Sequence, residues 1–202
     1  MLYIAAIKYV PWMIESENDL ITLLKEGSET AFRDLVDQNQ ARVYNTCLGF
    51  VRNEDEADDI AQEVFIEIYR SIRTFRGESK LSTWIYRIAV TKSLEHIRAK
   101  KRKKRYAIFR SLVYSDDDTV MDIPDHIHPG VLAENRERAK ILFQAIELLP
   151  ENQKVAFTLN KIEGMSYEEI AGVMKKTVSS VESLLHRARL KLQENLYMYY
   201  KS

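Results

Sequence analysis

The chain has 202 residues, 46% of them hydrophobic and 30% charged, enough apolar matter to bury one or two small cores and enough charge to keep them soluble. Only 6 Gly and 4 Pro argue against a turn-rich all-β protein, and a single cysteine, Cys47, excludes an intramolecular disulfide and a cysteine-based zinc site, in keeping with a cytoplasmic protein. Thirty basic and thirty acidic residues cancel, yet they are segregated: residues 1–69 carry net −9, 70–105 net +11, 106–133 net −4 and 134–202 net +2.

The first fourteen residues, MLYIAAIKYVPWMI, are apolar but broken by Lys8 and Pro11, and are shorter than the roughly 18 to 20 residues of a membrane span. They lack the basic leader and cleavage pattern of a secretory signal. Residues 1–15 are read as an extension, with Met13 an alternative start to Met1. Ser28 caps a helix carrying Phe32, Leu35, Val36, Val43, Tyr44 and Leu48 at helical spacing. Cys47 lies on this helix and is read as a packed residue. Asn53, with Glu56 three residues on, opens a second helix that buries Ala57, Ile60, Ala61, Val64, Ile68 and Ile72. Its opposite face begins with Glu54, Asp55, Glu56, Asp58 and Asp59, where the helix dipole favours carboxylates.

The loop FRGESKLS (Phe75 to Ser82) leads into a long helix with Trp84, Arg87, Thr91, Glu95 and Arg98 on one side. A stripe that mixes an aromatic ring with cations suits a nucleic-acid strand better than a protein core. The helix runs into RAKKRKKR (Arg98 to Arg105), a tract that repels itself unless solvent or phosphate screens it. Residues 111 to 131, with Pro124, Pro129, Gly130 and the triplet Asp116 to Asp118, read as an acidic linker. His126 and His128 lack a third ligand and are not read as a metal site.

Helical periodicity returns at Glu134, with Ile141, Leu142, Ala145 and Leu148 on one face. Pro150 sits in the first turn of a helix carrying Val155, Leu159 and Ile162, which Gly164 ends. Ser166 and Glu169 form a capping box for a short helix with Ile170, Ala171 and Met174 inward. After Lys175, Lys176 and Thr177, a last helix buries Val178, Val181, Leu185, Ala188 and Leu192, and exposes Ser179, Ser180, Ser183, His186 and Arg187. A short capped helix, a tight turn and a longer helix with a small polar face make a helix-turn-helix, whose second helix can enter the major groove. A helical hairpin for protein packing would read the same way. No P-loop, HExxH or GxSxG spacing is present, so no catalytic residue, metal or cofactor is expected.

Together, DEADDIAQEVFIEIYRSIRTFRGESKLSTWIYRIAVTKSLEHIR (Asp55 to Arg98), LPENQKVAFTL, GMSYEEIA and VSSVESLLHRARLKL resemble the extracytoplasmic-function sigma factors, over about residues 17 to 197. The resemblance implies an all-α fold of two small domains: region two over 16–110 and region four over 133–202, joined by the linker 111–132. It implies that Asp58, Asp59, Gln62, Glu63 and Phe65 face core RNA polymerase. Phe75, Lys80, Trp84, Arg87, Thr91 and Arg98 would hold the single-stranded -10 element, and Lys176, Thr177, Ser179, Ser180, Ser183 and Arg187 would meet the duplex -35 element. It also implies an anti-sigma partner, often membrane-attached, and no small-molecule substrate. The linker triplet Asp116 to Asp118 would thread a basic polymerase channel.

The sequence departs from the family pattern at Thr91, Glu95, Lys175, Glu182 and Leu184, which bears on promoter choice rather than on fold. One alternative is a stand-alone helix-turn-helix regulator, which leaves the acidic helix Asp55 to Tyr69 without a partner. A recombinase with a C-terminal helix-turn-helix would need a βα catalytic domain that the helical period does not suggest.

Overall fold

The computed structural model describes residues 16–114 and 141–201, with side chains through residue 106 in the first segment and residue 197 in the second. Within these bounds every regular element is a helix. The N-terminal extension, the acidic linker beyond Tyr114, His126, His128 and the start of the helix at Glu134 lie outside the described residues, and residues 111–114, read from sequence as the start of the linker, instead continue the helix that begins at Leu81.

The N-terminal lobe is built from α1 (Glu17–Glu26), α2 (Glu29–Val51), α3 (Glu54–Ser71), a 3-10 turn (Ile72–Thr74) and α4 (Leu81–Tyr114). Short polar side chains start the first three helices: Ser16, Ser28 and Asn53 accept from the amides of Asp19, Ala31 and Glu56. Each such cap contributes about 1 kcal/mol. The start of α4 is held from elsewhere, since the Leu81 amide donates to Glu17 Oε1 at 3.0 Å, which puts an anion at a helix N-terminus.

α3 buries Ala57, Ile60, Ala61, Val64 and Ile68, and Ile72 follows in the 3-10 turn, so the face read from spacing is the face that packs. These side chains meet Leu35, Val43 and Cys47 of α2, Leu81, Ile85 and Ala89 of α4, and Phe75. Burying each large aliphatic side chain here contributes about 1.5–3 kcal/mol. Cys47 is fully buried, and burial pushes its thiol up to about 11, so it is packed and not a thiolate at neutral pH.

The C-terminal lobe comprises helical residues 141–147 (α5), α6 (Glu151–Lys161), α7 (Tyr167–Met174) and α8 (Val178–Lys201). Pro150 takes the N-cap position of α6, one residue before the first turn. The Ser166–Glu169 capping box forms in full: Glu169 N donates to Ser166 Oγ at 3.2 Å, and Ser166 N to Glu169 Oε2 at 2.9 Å. Two sequence expectations need correction here. The buried face of residues 141–149 is Ala145, Ile146 and Leu149, while Leu142 and Leu148 are exposed. Apolar residues at 141, 142, 145, 146, 148 and 149 offer two overlapping stripes, and packing against Ala188 and Leu192 of α8 selects the second. Val178 is exposed at the first residue of α8, ahead of the core that Val181 enters.

The two lobes pack against each other. Phe50 of α2 and Val90 of α4 are buried in one cluster with Val155, Leu159, Ile170 and Val173 of the C-terminal lobe, and Tyr86, Leu94 and Ile97 cover its edge. α2 is therefore buried on two sides, Leu35 and Val43 inward and Phe50 towards the second lobe.

Candidate nucleic-acid interface

Three surfaces carry the residues singled out by sequence. On α3, Asp58, Asp59, Gln62 and Glu63 are exposed on the side opposite the core. Phe65 is half-buried and packs against the N-terminal cluster. The side chains that continue the exposed strip are Ile66 and Tyr69, half or more exposed, with Tyr69 edge-on to Phe32 at 5.1 Å between centroids. Sequence reading passed over these two, although steps of four and three from Gln62 point to them.

On α4 the stripe is only partly open. Thr91 and Arg98 are exposed, and Trp84 and Arg87 are half-buried. Phe75 is 5% exposed, its ring 5.1 Å from that of Trp84, so it supports the indole from below and does not face solvent. Lys80 is exposed in the loop before α4. Thr91 Oγ1 donates to Arg87 O at 2.8 Å, closing its hydroxyl on its own helix. Arg87 reaches across to the second lobe: Nη2 donates to Gly172 O at 2.6 Å and Nε to Val173 O at 3.3 Å. These are carbonyls of the last turn of α7, which has no later turn to pair with, so Arg87 caps that helix with a cation where the dipole favours one. Arg98 is engaged as well, by both carboxylate oxygens of Glu151.

A second cross-lobe group was not foreseen. Arg52, in the left-handed region at φ 57° after α2, donates Nη1 to Phe143 O at 2.8 Å and lies 4.3 Å over the Phe143 ring. Its Nη2 is 3.6 Å from Glu147, whose carboxylate also takes Lys154, a lysine only 5% exposed. Burial pulls Lys154 below its ordinary value, and Glu147 opposes this. A lone arginine after a helix carries no periodic signal, so sequence alone gave no hint of this role.

On the helix-turn-helix, Thr177 Oγ1 accepts from Ser180 N at 3.2 Å and so caps α8. Lys176, Ser179, Ser180, Ser183 and Arg187 are exposed and line a groove of about 550 Å³ with the first turn of α6. Arg187 Nε donates to Ser183 O at 3.2 Å, which holds the guanidinium along the helix. Leu184, at a departure from the family pattern, is buried and serves the core. Arg189 Nη2 donates to the Tyr167 hydroxyl at 3.1 Å, fixing α7 against α8. Among the described residues no cluster of His, Cys, Asp and Glu could hold a metal, and no helix is long and apolar enough to cross a membrane.

Comparison with known proteins matches Sigma-70 region 2 over residues 35–103 and Sigma-70, region 4 over residues 139–192. The chain is 34% identical over 185 residues to the ECF RNA polymerase sigma-E factor of Haemophilus influenzae, covering 90% of this chain and 95% of that protein. The chain belongs to the extracytoplasmic-function sigma factors. The RNA polymerase sigma-H factor of Pseudomonas aeruginosa is 36% identical over 182 residues, covering 87% and 91% of the two chains. The solved structure of CnrH in complex with the cytosolic domain of CnrY shares the fold, with a TM-score of 0.63 at 21% identity over 90% of this chain and 97% of that one, as does the sigma factor RpoE in complex with the anti-sigma factor NepR from Bartonella quintana, with a TM-score of 0.59 at 22% identity over 82% and 96% of the two chains. This sigma factor is thus a promoter-recognising, regulatory DNA-binding protein of transcription initiation, all-α, with region 2 in the N-terminal lobe and region 4 in the C-terminal lobe.

Proposed function

We propose that three faces divide the work of initiation. Region two spans 16–110 and region four 133–202, with the residues after the end of α4 at Tyr114 as the connection between them. The carboxylates Asp58, Asp59 and Glu63, with Gln62, meet core RNA polymerase through complementary charge that speeds encounter, and Phe65 stiffens that helix from its core side. Trp84, Arg87, Thr91 and Arg98, with Lys80 and the Phe75-backed loop, capture unpaired bases of the non-template -10 strand by stacking and hydrogen bonding. Ser179, Ser180, Ser183 and Arg187 read the duplex -35 element, with Lys176 and Thr177 at phosphate. Melting is then capture of an open state, with no chemistry performed by the sigma factor and no cofactor. The protein works in the cytoplasm, under an anti-sigma protein of the kind that NepR is for RpoE of Bartonella quintana.

The observation that carries this reading is the groove before α8, where small exposed hydroxyls stand beside Lys176 and Arg187 at a helix start free to approach DNA. The test is to mix the purified chain with core bacterial polymerase and a pool of promoter-bearing fragments, then sequence the transcripts. Specific starts that vanish without the chain are expected. Replacing Arg187 by alanine should weaken duplex binding and lower its salt slope by about 1, as for one lost phosphate contact. A folded sample that neither co-elutes with core nor yields starts would favour a stand-alone regulator.

A further inference from the structure

Helix α4 carries a single carboxylate, Glu95, among the basic and neutral residues of Leu81–Tyr114. The cations next to it are engaged elsewhere. Lys92 Nζ lies 3.3 Å from a Glu67 oxygen, His96 and Lys100 meet Glu56, and Arg98 meets Glu151. Glu95 itself is exposed and makes no hydrogen bond or ion pair with any described residue, though its charge is felt by Arg98 one turn on.

A carboxylate that holds nothing in place adds little to the fold. On a face that meets phosphates it also weakens binding, because like charges repel. What it can do at DNA is accept a hydrogen bond from a base. In the major groove the exocyclic amino groups of cytosine and adenine are donors, while thymine and guanine present acceptors that a carboxylate repels.

The neighbours of Glu95 narrow the choice. Trp84, backed by Phe75, is the stacking ring, and Glu95 follows it by about 16 Å along the helix axis. The stripe Trp84, Arg87, Thr91, Glu95 and Arg98 holds no second ring. After Glu95 come Arg98 and the tract to Arg105, point charges suited to the phosphates of a duplex rather than to stacked bases. Glu95 therefore stands where unpaired strand gives way to paired DNA, and there a base shows its major-groove edge. On that edge a carboxylate pairs with cytosine N4, whereas adenine suits an amide, which accepts from N6 and donates to N7 together. Thr91, one turn before, has given its hydroxyl to Arg87 O at 2.8 Å and does not compete for the amino group.

We infer that Glu95 is a base-reading residue: its carboxylate accepts from the N4 amino group of a non-template-strand cytosine in the duplex at the edge of the -10 element, and so selects promoters with cytosine there. The inference rests on the assignment of α4 to the -10 element. Repulsion from every other base edge and from phosphate makes the choice by exclusion as well as by attraction.

The experiment assembles the full chain, and its Glu95→Ala and Glu95→Gln variants, with core bacterial polymerase on promoter fragments randomised through the -10 element and the bases just upstream, and sequences the transcripts with their templates. The parent should enrich non-template cytosine at one position by about tenfold, the usual scale for one mismatched pair. Glu95→Ala should lose that preference alone and transcribe the disfavoured promoters better than the parent does. Glu95→Gln should move the preference to adenine. Both variants should melt with the parent, since Glu95 is exposed and has no partner to lose. Cytosine preference retained by Glu95→Ala overturns the inference. So does guanine in place of cytosine, because guanine offers a carboxylate two donors only on the edge it exposes when unpaired. Fragments that give no chain-dependent start reject the assignment of α4 together with the inference, whereas starts whose base preferences are the same in all three chains reject the role of Glu95 alone.

Discussion

Arg98 of α4 donates through both Nε and Nη2 to the two carboxylate oxygens of Glu151, joining the end of the α4 stripe to the first turn of α6. Hydrogen bonding to Arg98 holds the Glu151 carboxyl below its ordinary value. The side chains are 52% and 47% exposed, so solvent screens most of the attraction. A double-mutant cycle with Arg98→Ala and Glu151→Ala should give a coupling of about 0.3–1 kcal/mol in urea unfolding, and that coupling should shrink as salt is added. A coupling that persists undiminished in high salt would contradict this account of the pair.

Helix α3, which we propose faces polymerase, owes its position to its buried side. Ile68 is fully buried among α2, α3 and α4. Ile68→Ala should cost about 2–5 kcal/mol, from lost transfer energy and the cavity left behind. Denaturant melts of the full chain measure this, and a cost under about 1 kcal/mol would mean that the site collapses or that α3 packs elsewhere.

Acid should loosen α3 from α4. Burial alone would raise the Glu56 carboxyl, but hydrogen bonds and charge from Lys100 and then His96 hold it below its ordinary value. His96 Nε2 lies 3.0 Å from Glu56 Oε2. A depressed carboxyl stabilises the fold fully above its unfolded value and loses that contribution as pH falls through the depressed one. Glu56→Gln should therefore be less stable than the parent at neutral pH, and the gap should close in acid below the ordinary carboxylate range. Thermal melts across that range would show parallel curves if the tie were unimportant.

The turn of the helix-turn-helix is held in a strained conformation. Lys175 ends α7 at φ 52° and ψ 48°, in the left-handed region that side chains disfavour. Lys175→Gly should relieve that strain and leave stability equal or higher, by up to about 1 kcal/mol after glycine's own entropic cost. Alanine gains no such relief, so a melt in which Lys175→Ala stabilises as much as glycine would refute the strain.

How far the sequence speaks for the structure depends on how many sides of a helix are buried. α3 has one buried side, so the spacing of Ala57, Ile60, Val64 and Ile68 is enough to name its core. Residues 141–149 carry apolar side chains on two overlapping stripes, and only the neighbouring α8 decides between them. α2 serves two cores, which is why Phe50 escaped a reading based on a single face. The Ser166–Glu169 capping box and the helix-turn-helix are local and legible, whereas at Asn53 only the N-cap half of the expected box forms, because the Glu56 carboxylate turns to His96 and Lys100. The cross-lobe contacts are not, because Arg52, Arg87 and Gly172 lie far in sequence from what they touch and obey no period.

Two glycines inside helices, Gly49 of α2 and Gly172 of α7, lie where the lobes meet and change how substitutions in this protein are to be judged. A β-carbon at position 172 would press on Thr83 of the opposite lobe at 3.0 Å, whereas one at position 49 would make ordinary contact with Thr158 and Ile162. Either lobe expressed by itself would accept alanine at its glycine and gain helix propensity by about 1 kcal/mol. In the full chain alanine at position 172 presses on Thr83 of the neighbouring lobe, so a mutational scan of the isolated C-terminal lobe would score as beneficial a substitution that the whole molecule resists.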